Sequence, residues 1–172
     1  IKNGNSLISG TDEELEKAFG GDYRDKKPFN WQEQFPEVFA QGGFDVVIGN
    51  PPYGAELTKE DQKYFKEKYD IGSTDTAALM IKRSLKLLKQ NGFLGFIIPK
   101  SFCFASNWEK IREEVWDSLN TIIDCGKAWK EVKLEQIIMI LNKDFVATKY
   151  VSGVSSDNQI QIYDSVRKDI AQ

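Results

Sequence analysis

Gly43-Phe44-Asp45-Val46-Val47-Ile48-Gly49-Asn50-Pro51-Pro52-Tyr53-Gly54 decides how the rest of the chain is read. Val46 to Ile48 is a short apolar run, which predicts a fully buried β-strand. Gly49 ends it, and Asn50-Pro51-Pro52-Tyr53 follows at its C-terminal end, where ligands bind in open α/β sheets. Each proline fixes its own φ, lacks an N–H and pushes the preceding residue out of the α region. Asn50 is therefore held extended on a stiff backbone, beside carbonyls with few N–H partners. A site that accepts hydrogen bonds from an amino group needs such a set, one amide oxygen and one carbonyl held in advance. Tyr53 adds a flat aromatic face.

Outward from this corner the pattern is that of an α/β unit. Thr58 with Asp61 forms a capping box opening a charged helix through Tyr69, and Thr11 with Glu14 opens an earlier one that Gly20-Gly21 ends. Thr74 or Asp75 caps an amphipathic helix with Ala78, Ile81, Leu85 and Leu88 at helical spacing, which Asn91-Gly92 stops. Phe93 to Ile98 reads as a second buried strand, closed by Pro99, and the helix-Gly-strand-Pro order is that of a crossover. Ser106, three residues before Glu109, caps a further helix. Thr121–Asp124 and Gln136–Leu141 read as an antiparallel hairpin at the sheet edge, joined by a link containing Trp129. Ile1–Ile8 reads as a short strand. Phe29, Trp31, Phe35 and Phe39 lie in a polar stretch and cover the sheet edge. From Val151 the chain turns polar and reads as a linker, with Gln159–Tyr163 as one strand beyond it.

The Asn-Pro-Pro-Tyr quartet, preceded by its apolar strand, resembles the catalytic motif of S-adenosylmethionine-dependent amino-methyltransferases that act on adenine in DNA. The longer string from Gly42 to Tyr53 is similar to the branch that includes combined restriction-modification proteins, as is the lead-in from Phe29 to Phe39. The resemblance implies part of a Rossmann-like class I methyltransferase fold: an α/β, mixed sheet with an antiparallel edge hairpin and helices on both faces. It implies a catalytic domain over residues 1–150 whose donor-binding first half is absent, and a linker over 151–172 toward a missing recognition domain. S-adenosyl-L-methionine is the implied methyl donor and double-stranded DNA the implied partner, in a bacterial, cytoplasmic protein. Asn50, Pro51, Pro52 and Tyr53 take the catalytic positions. Asn5, in a segment similar to the family's I-x-x-G-N/D-S-L, falls with Asn50 and Asp75 among the donor-contacting positions. Tyr53 and Trp129 fall where a flipped base is sandwiched. Where the family begins the helix after Asp75 with aromatics, this chain has Ala77 and Met80. The Gly-rich donor turn and the acidic ribose-binding residue have no counterpart here, so the resemblance implies weak donor binding by these residues alone.

Composition bounds the rest. The chain has 172 residues, 41% of them hydrophobic, enough for one domain with a core. Its formal net charge is −3, whereas duplex-DNA binders are usually basic; the main grip on DNA is expected elsewhere. There is no histidine, which excludes Ser-His and Cys-His nucleophilic schemes and His-based metal sites. Cys103 and Cys125 lack metal or redox spacing and read as reduced, buried thiols. No segment is apolar enough to span a bilayer, and the start is not a signal peptide. The same quartet serves any planar amino group, so methylation of a protein glutamine or of RNA adenine, and a non-catalytic DNA-docking module, stand beside the DNA reading.

Overall fold

The structure is a computed structural model that describes residues 1–70, 75–128, 133–156, 159–163 and 165–167. In chain order its elements are α1 (Asp12–Phe19), α2 (Trp31–Gln34), α3 (Pro36–Ala40), β1 (Phe44–Gly49), α4 (Lys59–Tyr69), α5 (Thr76–Leu87), β2 (Leu88–Pro99), α6 (Glu109–Val115), β3 (Leu119–Gly126), β4 (Gln136–Asn142), β5 (Lys149–Ser156), β6 (Gln159–Ile162) and β7 (Val166–Arg167). The strands form one mixed sheet in the order β1-β2-β4-β3-β5-β6, with β7 paired to β5. β1 runs parallel to β2 and β3 parallel to β5, while β4 is antiparallel to both β2 and β3.

The core follows from alternation along β2 and β4. Leu94, Phe96 and Ile98 sit in register with Leu141, Met139 and Ile137, and all six are buried. They share one cluster with Leu79 and Ile81 of α5 and with Ile111 and Val115 of α6. Both capping boxes form, Thr11 with Glu14 and Thr58 with Asp61, and Asp75 caps α5 through the Ala77 N–H. The aromatics of the lead-in pack as expected: Trp31, Phe35 and Phe39 each contact the Phe44 ring at the head of β1.

Several expectations are corrected. Among the described residues β1 is an edge strand, paired only with β2, and Val46 and Ile48 are 54% and 79% exposed; an apolar run is buried only where neighbours cover it. Ile1–Ile8 is not a strand. Asn5 makes a single bridge to Pro28, and the backbone beyond it is satisfied by side chains: Tyr69 Oη donates to the Leu7 carbonyl and Tyr64 Oη to that of Ser9. α5 passes into β2 at Leu88 without the Asn91-Gly92 stop. Those two residues instead form an excursion within β2, where Phe44 pairs with Leu88 but Val46 already with Phe93. Ser106 makes no side-chain cap; a short 3-10 turn (Ser106–Trp108) precedes α6. The β3–β4 hairpin lies inside the sheet, because the stretch read as linker from Val151 is part of β5, which pairs with β3. Cys103 is exposed and Cys125 half-buried, both free, although burial of each sulfur pushes the thiol up. Among the described residues no helix is long and apolar enough to cross a membrane.

Candidate active site

The C-terminal ends of β1, β2 and β3 and the first residue of β4 converge on the Asn50–Tyr53 corner. Asn50 and Pro52 are exposed, Pro51 is buried and Tyr53 half-buried. Asn50 thus stands out from a corner whose other members are anchored. Thr76, buried in the first turn of α5, donates through Oγ1 to the Pro52 carbonyl at 2.6 Å. Gln136, fully buried as the first residue of β4, donates through Nε2 to Tyr53 Oη at 2.9 Å. With prolines at 51 and 52 there are few local N–H groups to occupy the neighbouring carbonyls. Among the described residues neither the Asn50 side chain nor the Pro51 carbonyl is engaged in a hydrogen bond. Gly54, at φ 68°, then turns the chain away in a conformation that favours glycine.

Behind the corner, one lysine clasps the strand ends. Lys100 Nζ lies 2.7 Å from Asp124 and 3.0 Å from Glu135, and its backbone N–H donates to the Glu135 carbonyl. Hydrogen bonds to Asp124 and Glu135 hold the Lys100 ammonium well above its usual range. Burial alone would raise the Asp124 carboxyl. The Lys100 hydrogen bond, the Gly126 N–H and the ammonium's charge together leave it below the usual carboxylate range.

The other residues singled out by sequence fare differently. Asp75 is close in the chain to Thr76, caps α5, and is pushed up by its burial, against the Ala77 N–H that it accepts. Asn5 lies in the N-terminal segment, where its Oδ1 accepts the Leu7 N–H in a local turn. Trp129 lies outside the described residues. Thr76, Gln136 and Lys100 were missed. The one signal for Gln136 was an amide heading an otherwise apolar strand; Thr76 and Lys100 carried none. Two surface clefts, of about 680 and 400 Å³, lie elsewhere, one beside α6 around Cys103, Arg112 and Tyr150, the other between α1 and α4. Neither includes the corner, and neither offers the amide oxygen, carbonyl and aromatic face that define it. Among the described residues no group of side chains could hold a metal ion.

The mixed α/β sheet, with the Asn50–Tyr53 corner at the C-terminal end of its parallel strand β1, has the fold seen in class I S-adenosylmethionine-dependent methyltransferases. The fold is matched in a solved structure from Listeria monocytogenes described as a class I S-adenosylmethionine-dependent methyltransferase, with TM-score 0.57 and 22% identity, covering 68% of this chain and 38% of that one. The chain belongs to the Eco57I restriction-modification methylase family, whose model matches residues 2–129. It is 33% identical over 116 residues to the type II methyltransferase M.VspI of Vibrio sp. (strain 343), covering 64% of this chain and 28% of that protein. It is 32% identical over 112 residues to the type II restriction enzyme and methyltransferase RM.Eco57I of Escherichia coli, covering 59% of this chain and 11% of that protein. The chain therefore spans well under a third of these curated relatives.

Proposed function

We propose that the protein carrying these residues is a site-specific DNA adenine methyltransferase of a restriction-modification system. It transfers a methyl group from S-adenosyl-L-methionine to the exocyclic amino group of an adenine turned out of the duplex. The observation that carries this reading is the exposed Asn50 on a corner held from beneath by Thr76 and Gln136. In this reading Asn50 Oδ1 and the Pro51 carbonyl accept the two amino hydrogens. The nitrogen is thereby drawn toward tetrahedral geometry, with its lone pair turned to the methyl group. Both oxygens also stabilise the positive charge that builds on nitrogen, without reorganising during the reaction. S-adenosyl-L-methionine, when bound, supplies an electrophilic methyl on a sulfonium, so the chain has no covalent intermediate to form.

Turning the base out costs a few kcal/mol of unstacking. Stacking on Tyr53 returns roughly 1–3 kcal/mol, and Trp129 is proposed for the opposite face. Asn50, Asn5 and Asp75 are proposed as donor contacts. Since Asn5 Oδ1 is engaged in its own turn, its Nδ2 is the group it offers. The open edge of β1 supports a donor-binding region that adds beyond it: a parallel strand with exposed apolar side chains is at odds with the two-sided burial such strands require. The acidic net charge supports a principal DNA grip outside these residues.

The test is Asn50→Ala in the full-length protein. Methyl transfer to DNA is expected to fall by about 10²–10³-fold, with the dissociation constant for the donor within a few-fold of wild type. Unchanged turnover overturns the role. Tritiated-methyl transfer to plasmid DNA, RNA and a glutamine-bearing protein, run side by side, separates the DNA reading from its rivals.

A further inference from the structure

We infer that Gln136 is a positioning residue that anchors the hydroxyl end of the Tyr53 ring, and that it acts only through that ring. The inference rests on the reading of Asn50–Tyr53 as the base-binding corner. Its structural ground is the hydrogen bond from Gln136 Nε2 to Tyr53 Oη, 2.9 Å across a separation of 83 residues.

Tyr53 sits between two prolines and a glycine of positive φ. The prolines stiffen the approach, and the half-buried ring packs against the hydrophobic core, which leaves its polar tip to be held by a hydrogen bond. Gln136 is fully buried and paired on both sides, opposite Pro99 of β2 and Gly126 of β3. The residue before it belongs to the Lys100 clasp. A hydrogen bond from so fixed a post holds the far end of the ring in place.

Gln136 is also a costly choice for packing alone. Its Oε1 is buried and has no hydrogen-bond partner among the described residues, whereas buried polar atoms are ordinarily paired. Reversing the amide would make the phenol the donor and orphan Nε2 instead. The link to Tyr53 survives either orientation, and one amide atom stays unpartnered in both. An apolar side chain would avoid that cost, so the amide is explained by what it holds.

The experiment has two arms. In the 172-residue chain, NMR follows the Gln136 side-chain amide. Its protons are expected to be protected from exchange and to shift in Tyr53→Phe; free exchange in wild type overturns the contact itself. In the full-length protein, Gln136→Met keeps the volume and removes the bond. Fluorescence of 2-aminopurine at the target position is expected to fall at least two-fold and KM for DNA to rise about 3–10-fold, with donor affinity and melting temperature near wild type. Tyr53→Phe is expected to match it. The double variant is expected to be no worse than the poorer single one, because both remove the same bond. Gln136→Glu, which can still pair with the phenol, is expected to recover part of the loss. Additive losses in the double variant, or wild-type fluorescence in both single variants, overturn the inference. Should Gln136→Met fail to fold, Tyr53→Phe with Gln136→Glu carries the same comparison. Failure here with Asn50→Ala still inactive removes Gln136 alone; an active Asn50→Ala removes the reading on which it rests.

Discussion

β1 and β4 are built from nearly the same kind of residues and end in opposite environments. Val46-Val47-Ile48 and Ile137-Ile138-Met139-Ile140-Leu141 are both unbroken apolar runs. β4 is hydrogen-bonded on both sides, and Ile137, Met139 and Leu141 are essentially inaccessible. Among the described residues β1 has one neighbour, and its Val46 and Ile48 side chains stand in the open. An apolar run thus states a requirement for cover without saying what provides it. The Asn50–Tyr53 corner sits at the boundary, at the end of the strand whose requirement is unmet, while its anchors Thr76 and Gln136 come from the finished side.

The sharpest way to break this comparison is to truncate one side chain on each strand. Met139→Ala, in the filled core, is expected to cost about 2–5 kcal/mol through lost contacts and a residual cavity. Ile48→Ala is expected to stay within about 0.5 kcal/mol in this chain, as surface changes do. Urea unfolding of the two variants measures the difference. In the full-length protein, the Ile48 substitution should move toward the Met139 value if a donor-binding region covers β1. If it stays neutral there, β1 is a true solvent edge and the donor site must be assembled elsewhere.

A smaller effect sharpens the link between the finished side and the corner. Thr76→Val is nearly isosteric and removes the donor to the Pro52 carbonyl. It is expected to cost about 0.5–1.5 kcal/mol, the usual net worth of one hydrogen bond, again read from urea midpoints. No change would mean that the prolines alone hold the corner.

What could be read ahead of the structure was local. The capping boxes span four residues each, and the Asn50–Tyr53 corner carries its stiffness in its own prolines. What could not be read depended on distant partners. Tyr53 is held by a residue 83 positions away, and Pro52 by one 24 away. Glycine misled twice for the same physical reason. A Cβ on Gly153 would fall 2.8 Å from both the Gln161 carbonyl and Ile123 Cδ1, so a glycine inside the stretch read as a linker is what lets β5 fit against its neighbours. A Cβ on Gly92 would meet the Lys89 and Asp45 carbonyls at 3.0 and 3.1 Å. That glycine serves a tight excursion inside β2, not a helix end. The curtailed burial of β1 was invisible for a further reason: strand order is a property of the whole sheet, and no feature of Val46–Ile48 reports it.

The smallest effect concerns the clasp that keeps the two sides in register. The Asp124 carboxyl lies below its usual range in the folded state. Its contribution to stability is therefore complete above its unfolded pKa and is lost as pH falls through the folded one. Lys100 lies above its usual range, so its contribution is complete below its unfolded pKa and is lost only as pH rises through the folded one. Between about pH 5 and 9 the pair should be flat, with losses confined to the acid and alkaline arms. Both side chains are about one-third exposed, so solvent screening holds the pair to roughly 0.2–1 kcal/mol. Asp124→Asn is expected to remove that much at pH 7 and progressively less as pH falls through the folded pKa of Asp124. A penalty that does not change with pH would separate the effect from the Asp124 charge, since the asparagine oxygen can still accept the Gly126 N–H.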